Sequence, residues 1–248
     1  MITFTTGGSS LYDNLSPQRV REWIAYHVRI FGKRSHFVLH NAGGIHEEVF
    51  EILKPWIELE RVTLHDIRVQ ERFNGYYHSQ FIVVNDCLHR YRFMAKWMFF
   101  FDVNEFVYVP AKETISSMPM SSRICYNGDG PARTYRNGGL RNWCIETSVP
   151  RRDRKYMVKP ENVLATGVHM SQNLQGRTYH KAESKIRYFH YHGSISQRRE
   201  LCRYVFNDSN VFFENTPYVL DTTICDVGLA VRTFELRTIG DRLLRTRQ

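Results

Sequence analysis

Trp97-Met98-Phe99-Phe100-Phe101-Asp102-Val103-Asn104-Glu105-Phe106 is the stretch on which the reading of this chain turns. The unbroken apolar run from Trp97 to Phe101 suits a strand covered on both faces, as in a parallel sheet with helices on either side. The run stops at Asp102, so a buried strand delivers Asp102, Asn104 and Glu105 to its carboxyl end. Strand alternation places Asp102 and Asn104 on one face. Oxygen donors in that place suit Mg²⁺ or Mn²⁺, which bridge diphosphate oxygens and neutralise leaving-group charge. The plainer alternative is a strand-end acid that faces solvent or caps the next turn.

Outward from this block, the preceding residues alternate helix and strand patterns. Residues 1–5 form a β-prone run followed by a loop, Gly7-Gly8-Ser9-Ser10. Ser16 and Pro17 open a helix as N-cap and first helical residue. Val20, Trp23, Ile24, Val28 and Phe31 recur at helical spacing, and Gly32 stops it. Residues 36–39 read as a strand and 41–44 as a turn. A second helix runs over 47–54, with Val49, Phe50 and Leu53 inward, and Pro55 ends it. Residues 62–67 read as a strand. Residues 80–91 read as a helix with Phe81, Val84, Leu88 and Tyr91 inward. Strands separated by single helices predict an α/β fold with a mostly parallel sheet, right-handed crossovers and ligands beyond the strands' carboxyl ends.

Beyond residue 110 the pattern is weaker. Residues 127–139, rich in Gly and Asn, read as an irregular loop, and 150–155 as a basic turn. Residues 163–168 and 186–189 read as short strands, each followed by a histidine.

A chain of 248 residues is long enough for one substantial core. Hydrophobic residues at 42% and aromatics at 14% exclude a disordered chain. The net charge of +9 points to an anionic partner: nucleic acid, acidic polysaccharide or nucleoside diphosphate. No nucleic-acid-binding signature accompanies it and the basic residues form no dense run, so nucleic acid is not expected. The glycines after the first strand lack the G-x-G-x-x-G spacing of a dinucleotide oxidoreductase. Cys87, Cys125, Cys144, Cys202 and Cys225 show no C-x-x-C pair, which argues against a zinc or redox site of that kind. Asn14-Leu15-Ser16 and Asn207-Asp208-Ser209 are glycosylation sequons. No run approaches the ~20 apolar residues of a membrane span.

The block Trp97–Phe106 resembles the W-x-x-F-x-D-V-D-E-F motif of glycosyltransferase family 92, and longer strings extend the resemblance to its plant β-1,4-galactan synthase branch. They are Gly8-Ser9-Ser10-Leu11-Tyr12, Ser16-Pro17-Gln18-Arg19-Val20-Arg21-Glu22-Trp23-Ile24-Ala25-Tyr26-His27 and Asn85-Asp86-Cys87-Leu88. Val149-Pro150-Arg151-Arg152-Asp153-Arg154-Lys155-Tyr156, Gly167-Val168-His169-Met170-Ser171-Gln172-Asn173-Leu174 and Tyr188-Phe189-His190-Tyr191-His192-Gly193 continue it. The resemblance implies a GT-A-type Rossmann-like sheet flanked by helices, with an irregular C-terminal acceptor-side portion. It implies a nucleotide-sugar-binding half over 1–110 and an acceptor-side half over 111–248. It also implies Mn²⁺ (or Mg²⁺), a UDP-sugar donor, expected to be UDP-galactose, and inverting extension of β-1,4-galactan in pectin. A Golgi-lumenal enzyme follows from the same resemblance, and a homodimer is a further expectation. The family's membrane anchor and stem do not occur here, and residues 111–117 are shorter than the family's pattern. A truncated or divergent member, binding nucleotide sugar or polysaccharide without transfer, is the competing expectation.

On this resemblance Asp102 stands for the first acid of the family's D-x-D, and Asn104 falls where the second is expected. An amide oxygen can still meet a metal, but one negative charge is lost. His169 is the expected late histidine ligand, with His190 and His192 as alternatives. Asp129 is the first candidate general base, ahead of Glu146 and Asp153. Donor contacts are expected from Gly8, Ser9, Ser10, Asn41, Gln80 and Asp86, with His40 beside Asn41. Lys155, Lys159, Lys181 and Lys185 are candidates to neutralise the diphosphate.

Overall fold

The computed structural model describes residues 2–11, 15–71, 80–109, 123–126, 133–134, 143–146, 155–167, 171–176, 178–181, 187–190, 210–213, 216–220 and 227–240. The first part of the chain runs β1 (Ile2–Leu11), α1 (Pro17–Phe31), β2 (Ser35–Asn41), α2 (Glu47–Glu58), β3 (Val62–Asp66), α3 (Arg68–Glu71), α4 (Gln80–Arg90), β4 (Ala95–Phe100) and β5 (Glu105–Tyr108). There follow β6 (Arg123–Tyr126), β7 (Arg133–Thr134), β8 (Trp143–Glu146), β9 (Lys155–Val158), β10 (Val163–Thr166), β11 (Ser171–Asn173) and β12 (Thr178–Lys181). The described elements end with β13 (Arg187–His190), β14 (Asn210–Phe213), β15 (Thr216–Leu220) and α5 (Gly228–Ile239).

Seven strands form the main sheet in the order β12-β6-β9-β4-β1-β2-β3. Strands β3, β2, β1 and β4 are mutually parallel. Strand β9 runs antiparallel between β4 and β6, so strands from after residue 110 complete the sheet that the early strands begin. The class is mixed α/β, as the alternating pattern predicts.

The apolar block behaves as its composition requires. Trp97, Phe99 and Phe101 enter one core with α1, α2 and α5, while Met98 and Phe100 enter a second core with α4. Alternation thus feeds two cores through one strand, and no polar residue between 97 and 101 is tolerated. Helix α1 buries Val20, Trp23, Ile24, Val28 and Phe31, the periodic set read from sequence. Pro17 opens it and Gly32, at φ 77°, closes it, though the Ser16 side chain makes no cap bond. Arg21 Nε donates to both carboxylate oxygens of Glu235 at 2.9 and 3.1 Å, tying α5 to α1.

Three local readings are corrected. Gly7–Ser10 are not a loop: β1 continues to Leu11, and a register irregularity between Thr6 and Ser9 absorbs the glycines. The ladder to β2 continues through this stretch, whereas pairing with β4 is recorded only to Thr6. Pro55 does not end α2, which runs to Glu58 with Pro55 inside it. A helix-interior proline costs about 3 kcal/mol, but full burial of Val49, Leu53 and Trp56 contributes roughly 1.5–3 kcal/mol each. Phe81 and Phe50 point outward, at 44% and 42% exposure; α4 instead buries Val83, Val84, Cys87 and Leu88. Cys87 is a free, buried thiol, and burial pushes its pKa well above the ordinary range.

Candidate functional site

Strand β4 ends at Phe100, and residues 102–105 fold into a tight turn rather than continuing as strand. Strand alternation therefore does not relate Asp102 to Asn104, which is a correction to the sequence reading. The turn is locked by reciprocal bonds. Glu105 N–H donates to Asp102 O at 3.0 Å, and Asp102 N–H donates to Glu105 Oε2 at 2.8 Å. Trp23 Nε1–H reaches across from α1 and donates to both Asp102 O and Glu105 O at 3.0 Å. Asp102 O thus accepts twice, from Glu105 N–H and from the indole, and Glu105 O gains the indole as a donor.

The next strand is held in the same way. Tyr26 Oη–H donates to Val107 O at 2.8 Å. His27 Nδ1 lies 2.9 Å from Trp23 O, and Val107 N–H donates to His27 Nε2 at 3.2 Å. Only the neutral tautomer with hydrogen on Nδ1 serves both contacts. Burial pulls the His27 imidazole down to about 3, in keeping with that neutral form.

Asp102 is the partly open member of the turn, with 38% of its side chain exposed. Gln80 Nε2, at the start of α4, donates to its Oδ1 at 3.2 Å. Lys155 Nζ, from β9, lies 3.3 Å from its Oδ2 and 3.1 Å from Glu105 Oε2. Lys155 and Glu105 are 4% and 1% exposed, so this is a buried ion pair beside a half-open acid. Burial pushes the Glu105 carboxyl up to about 7, with Lys155 pulling the other way. Asn104 Oδ1 is buried and has no hydrogen-bond partner. One carboxylate and one unused amide oxygen are hard donors of the kind that Mg²⁺ and Mn²⁺ accept alongside water and phosphate.

The other expected contributors fall into three groups. Asn41 ends β2 and is 8% exposed; its Oδ1 accepts Gly43 N–H at 2.9 Å and Ile45 N–H at 3.4 Å, so its side chain shapes the turn. Asp86 lies six residues beyond Gln80 along α4, roughly 9 Å by helical rise. Its carboxylate is held by Arg90 at 2.7 and 3.2 Å and lies 3.6 Å from His40 Nε2. Lys159 lies 3.9 Å from Glu161 and 6.0 Å from the Trp97 ring centroid. Ser9, Ser10, Glu146, Lys181 and His190 are placed by strand register, and Gly8 lies within β1. His190 stands directly opposite Glu105 on β13, which brings that strand to the turn. Asp129, Asp153, His169, Lys185, His192 and residues 111–117 lie outside the described residues.

Sequence reasoning treated Lys155 as a phosphate-facing cation and missed its burial against Glu105. It also missed Trp23 and His27 as supports of the turn, although their i,i+4 spacing on the apolar face of α1 pointed inward.

Acid should weaken this arrangement. His27 and His40, the latter pulled down to about 4 by burial and by His65, stay neutral when folded and bind protons when unfolded. Their stabilisation is present above their unfolded value near 6.5 and is lost as pH falls toward the folded values. Glu105 acts oppositely between its ordinary value of 4.5 and about 7, because the folded chain holds its proton there. Burial lowers His36 and His65 in the same sense and raises Glu235 alongside Glu105, so four histidines stand against two carboxyls and the balance on going from pH 6.5 to 4.5 is a loss of stability. Thermal melts across that window should move downward with acidity; a flat or rising melting temperature contradicts the neutral-histidine assignment.

The comparisons with known proteins agree with one another. The glycosyltransferase family 92 model matches residues 3–224. "Galactan beta-1,4-galactosyltransferase GALS3" of Arabidopsis thaliana is 79% identical over 97% of this chain and 51% of its own length. "Galactan beta-1,4-galactosyltransferase GALS2" of the same plant is 72% identical over 97% of the chain and 50% of its own length. "Galactan beta-1,4-galactosyltransferase GALS1", also of Arabidopsis thaliana, is 44% identical over 94% of the chain and 51% of its own length. The chain thus spans about half the length of the curated relatives it matches.

Proposed function

The chain belongs to glycosyltransferase family 92, and from that premise we propose that it carries the transfer site of a galactan β-1,4-galactosyltransferase. The donor is UDP-galactose and the acceptor a galactan chain of pectin, extended with inversion in the Golgi lumen on a GT-A-type sheet. The observation that carries the reading is the Asp102–Glu105 turn. It stands beyond the carboxyl end of central strand β4, beside the end of β1, where ligands of open parallel sheets bind. Among the described residues, no helix is long and apolar enough to cross a membrane.

Each residue of the turn has a distinct part. Asp102 and Asn104 would hold Mn²⁺ or Mg²⁺, which when bound neutralises the diphosphate of the departing nucleotide. Gln80 fixes the orientation of the Asp102 carboxylate from one side. Lys155 fixes it from the other, with its charge held against Glu105. Trp23 and Glu105 hold the turn rigid, so that the open acid does not have to be ordered when the donor binds. His169 remains the proposed late ligand. Gly167, two residues earlier in sequence, accepts a hydrogen bond from Tyr156 Oη. Asn85 clamps the same segment, exchanging bonds with Thr166 N–H and O at 2.9 and 2.7 Å. Asp129 remains the proposed general base.

A second reading has its own support. Lys155 already neutralises Asp102, and Asn104 supplies no charge, an arrangement suited to binding a nucleotide sugar without turnover. Transfer from UDP-galactose to a galacto-oligosaccharide separates the two. We expect Asn104→Asp to tighten Mn²⁺ binding by about tenfold and to raise the transfer rate, because a hard anionic ligand replaces a neutral one. Unchanged Mn²⁺ affinity in the folded variant rejects residue 104 as a ligand, and absent turnover in both proteins favours the binding-only reading.

A further inference from the structure

Six residues beyond Gln80 along α4, Asp86 joins a cluster apart from the Asp102 turn. His40 on β2 and His65 on β3 are register partners in adjacent parallel strands, and their ring centroids lie 5.2 Å apart. Strand alternation places His40 on the same face as Val38, which packs into the core beneath α4. Asp86 completes the group from the helix. One donor atom from each of the three lies within 4.8 Å of the others, and His40 Nε2 is 3.6 Å from Asp86 Oδ2.

Hydrogen bonding leaves this cluster unfinished. His40 is 2% exposed, yet neither of its ring nitrogens has a hydrogen-bond partner, and His65 Nε2 is also buried without one. Buried imidazoles normally find partners, because an unsatisfied polar nitrogen loses its water without return. Arg90 donates to both oxygens of the Asp86 carboxylate, at 3.2 Å to Oδ2 and 2.7 Å to Oδ1, and fixes its orientation, as outer-shell groups do for metal ligands. Asp86 is 36% exposed and borders a surface groove with Phe81, Ile82, Asn85, His89 and Arg90, so solvent reaches the cluster from that side.

We propose that His40, His65 and Asp86 form a second cation site, selective for a borderline-soft divalent ion of the Zn²⁺ class, with its fourth position open to water. Tetrahedral coordination at about 2.0–2.1 Å separates ligand atoms by roughly 3.3 Å. The His40–Asp86 separation of 3.6 Å is close to that edge, and the donor atoms of the group all lie within 4.8 Å of one another, so closing onto an ion needs shifts of at most about 1.5 Å. Two imidazoles and one carboxylate favour zinc over the hard ions suited to the all-oxygen donors Asp102 and Asn104. Such an ion would clamp β2, β3 and α4 together.

Zn²⁺ titration of the full chain by calorimetry and thermal melting, with zinc-edge absorption spectroscopy, tests this. We expect one zinc per chain with nitrogen and oxygen ligands, and a raised melting temperature that Mg²⁺ does not reproduce. Loss of an outer-shell partner alone weakens metal binding roughly 10–100-fold, so His65→Gln and Asp86→Asn should each weaken zinc by about 100-fold. Both residues are less buried than His40, so these variants should fold. Asp102→Ala should retain the zinc. No zinc binding, binding unaffected by His65→Gln and Asp86→Asn, or loss of zinc in Asp102→Ala would overturn the assignment.

Discussion

Replacing Lys155 with methionine is expected to destabilise the fold by about 3–5 kcal/mol, the range for stranding one partner of a buried ion pair. Methionine matches the lysine stem in length and shape, so packing is largely kept and the charge is the main loss. What remains is Glu105, 1% exposed, its Oε2 still accepting Asp102 N–H. Desolvation already pushes that carboxyl toward its neutral form, and removing the ammonium takes away the opposing attraction. The double variant Lys155→Met with Glu105→Gln should recover much of the loss, because a neutral amide in the same place still accepts the Asp102 N–H. Urea melts of both variants read this directly. A loss below about 1 kcal/mol in Lys155→Met, the scale of an exposed pair, would show that the two groups do not form a buried pair.

Replacing Asp102 with alanine is expected to lower kcat/KM for galactose transfer by about 10²–10³-fold, the scale on which a single electrostatic contact to developing charge acts. The side chain is 38% exposed and its backbone, not its carboxylate, anchors the turn through Trp23 and Glu105. Folding stability should therefore change little while donor binding and transfer fall together. Asp102→Asn separates the parts played by charge and by shape, since an amide keeps the contact with Gln80. Activity within threefold of the parent in Asp102→Ala would remove this residue from the site.

Much of the site's framework was legible because it is local. The apolar run from Trp97 to Phe101 has no place but a strand covered on both faces, and the periodic set on α1 faces one core. Misreadings occurred where local preference lost to packing. Pro55 stays inside α2 because Trp56 and Leu53 are buried beside it. Gly7–Ser10 prolong β1 because the β2 ladder continues past them. Phe81 turns outward because Val83, Val84 and Cys87 take the inner face of α4.

By itself, then, the sequence determined the α/β alternation and the delivery of Asp102 to the end of a buried strand, both of which rest on neighbouring residues and chain periodicity, while its longer strings carried the resemblance to the family. Only the tertiary structure decided that Glu105 turns inward, that Lys155 is buried against it, and that His40, His65 and Asp86 converge. Lys155 reaches Asp102 from 53 residues further along the chain, and His40 meets Asp86 because α4 packs on β1, the sheet neighbour of β2. Charge and polarity say that such residues need partners; the crossing of strands and helices selects which partners they find.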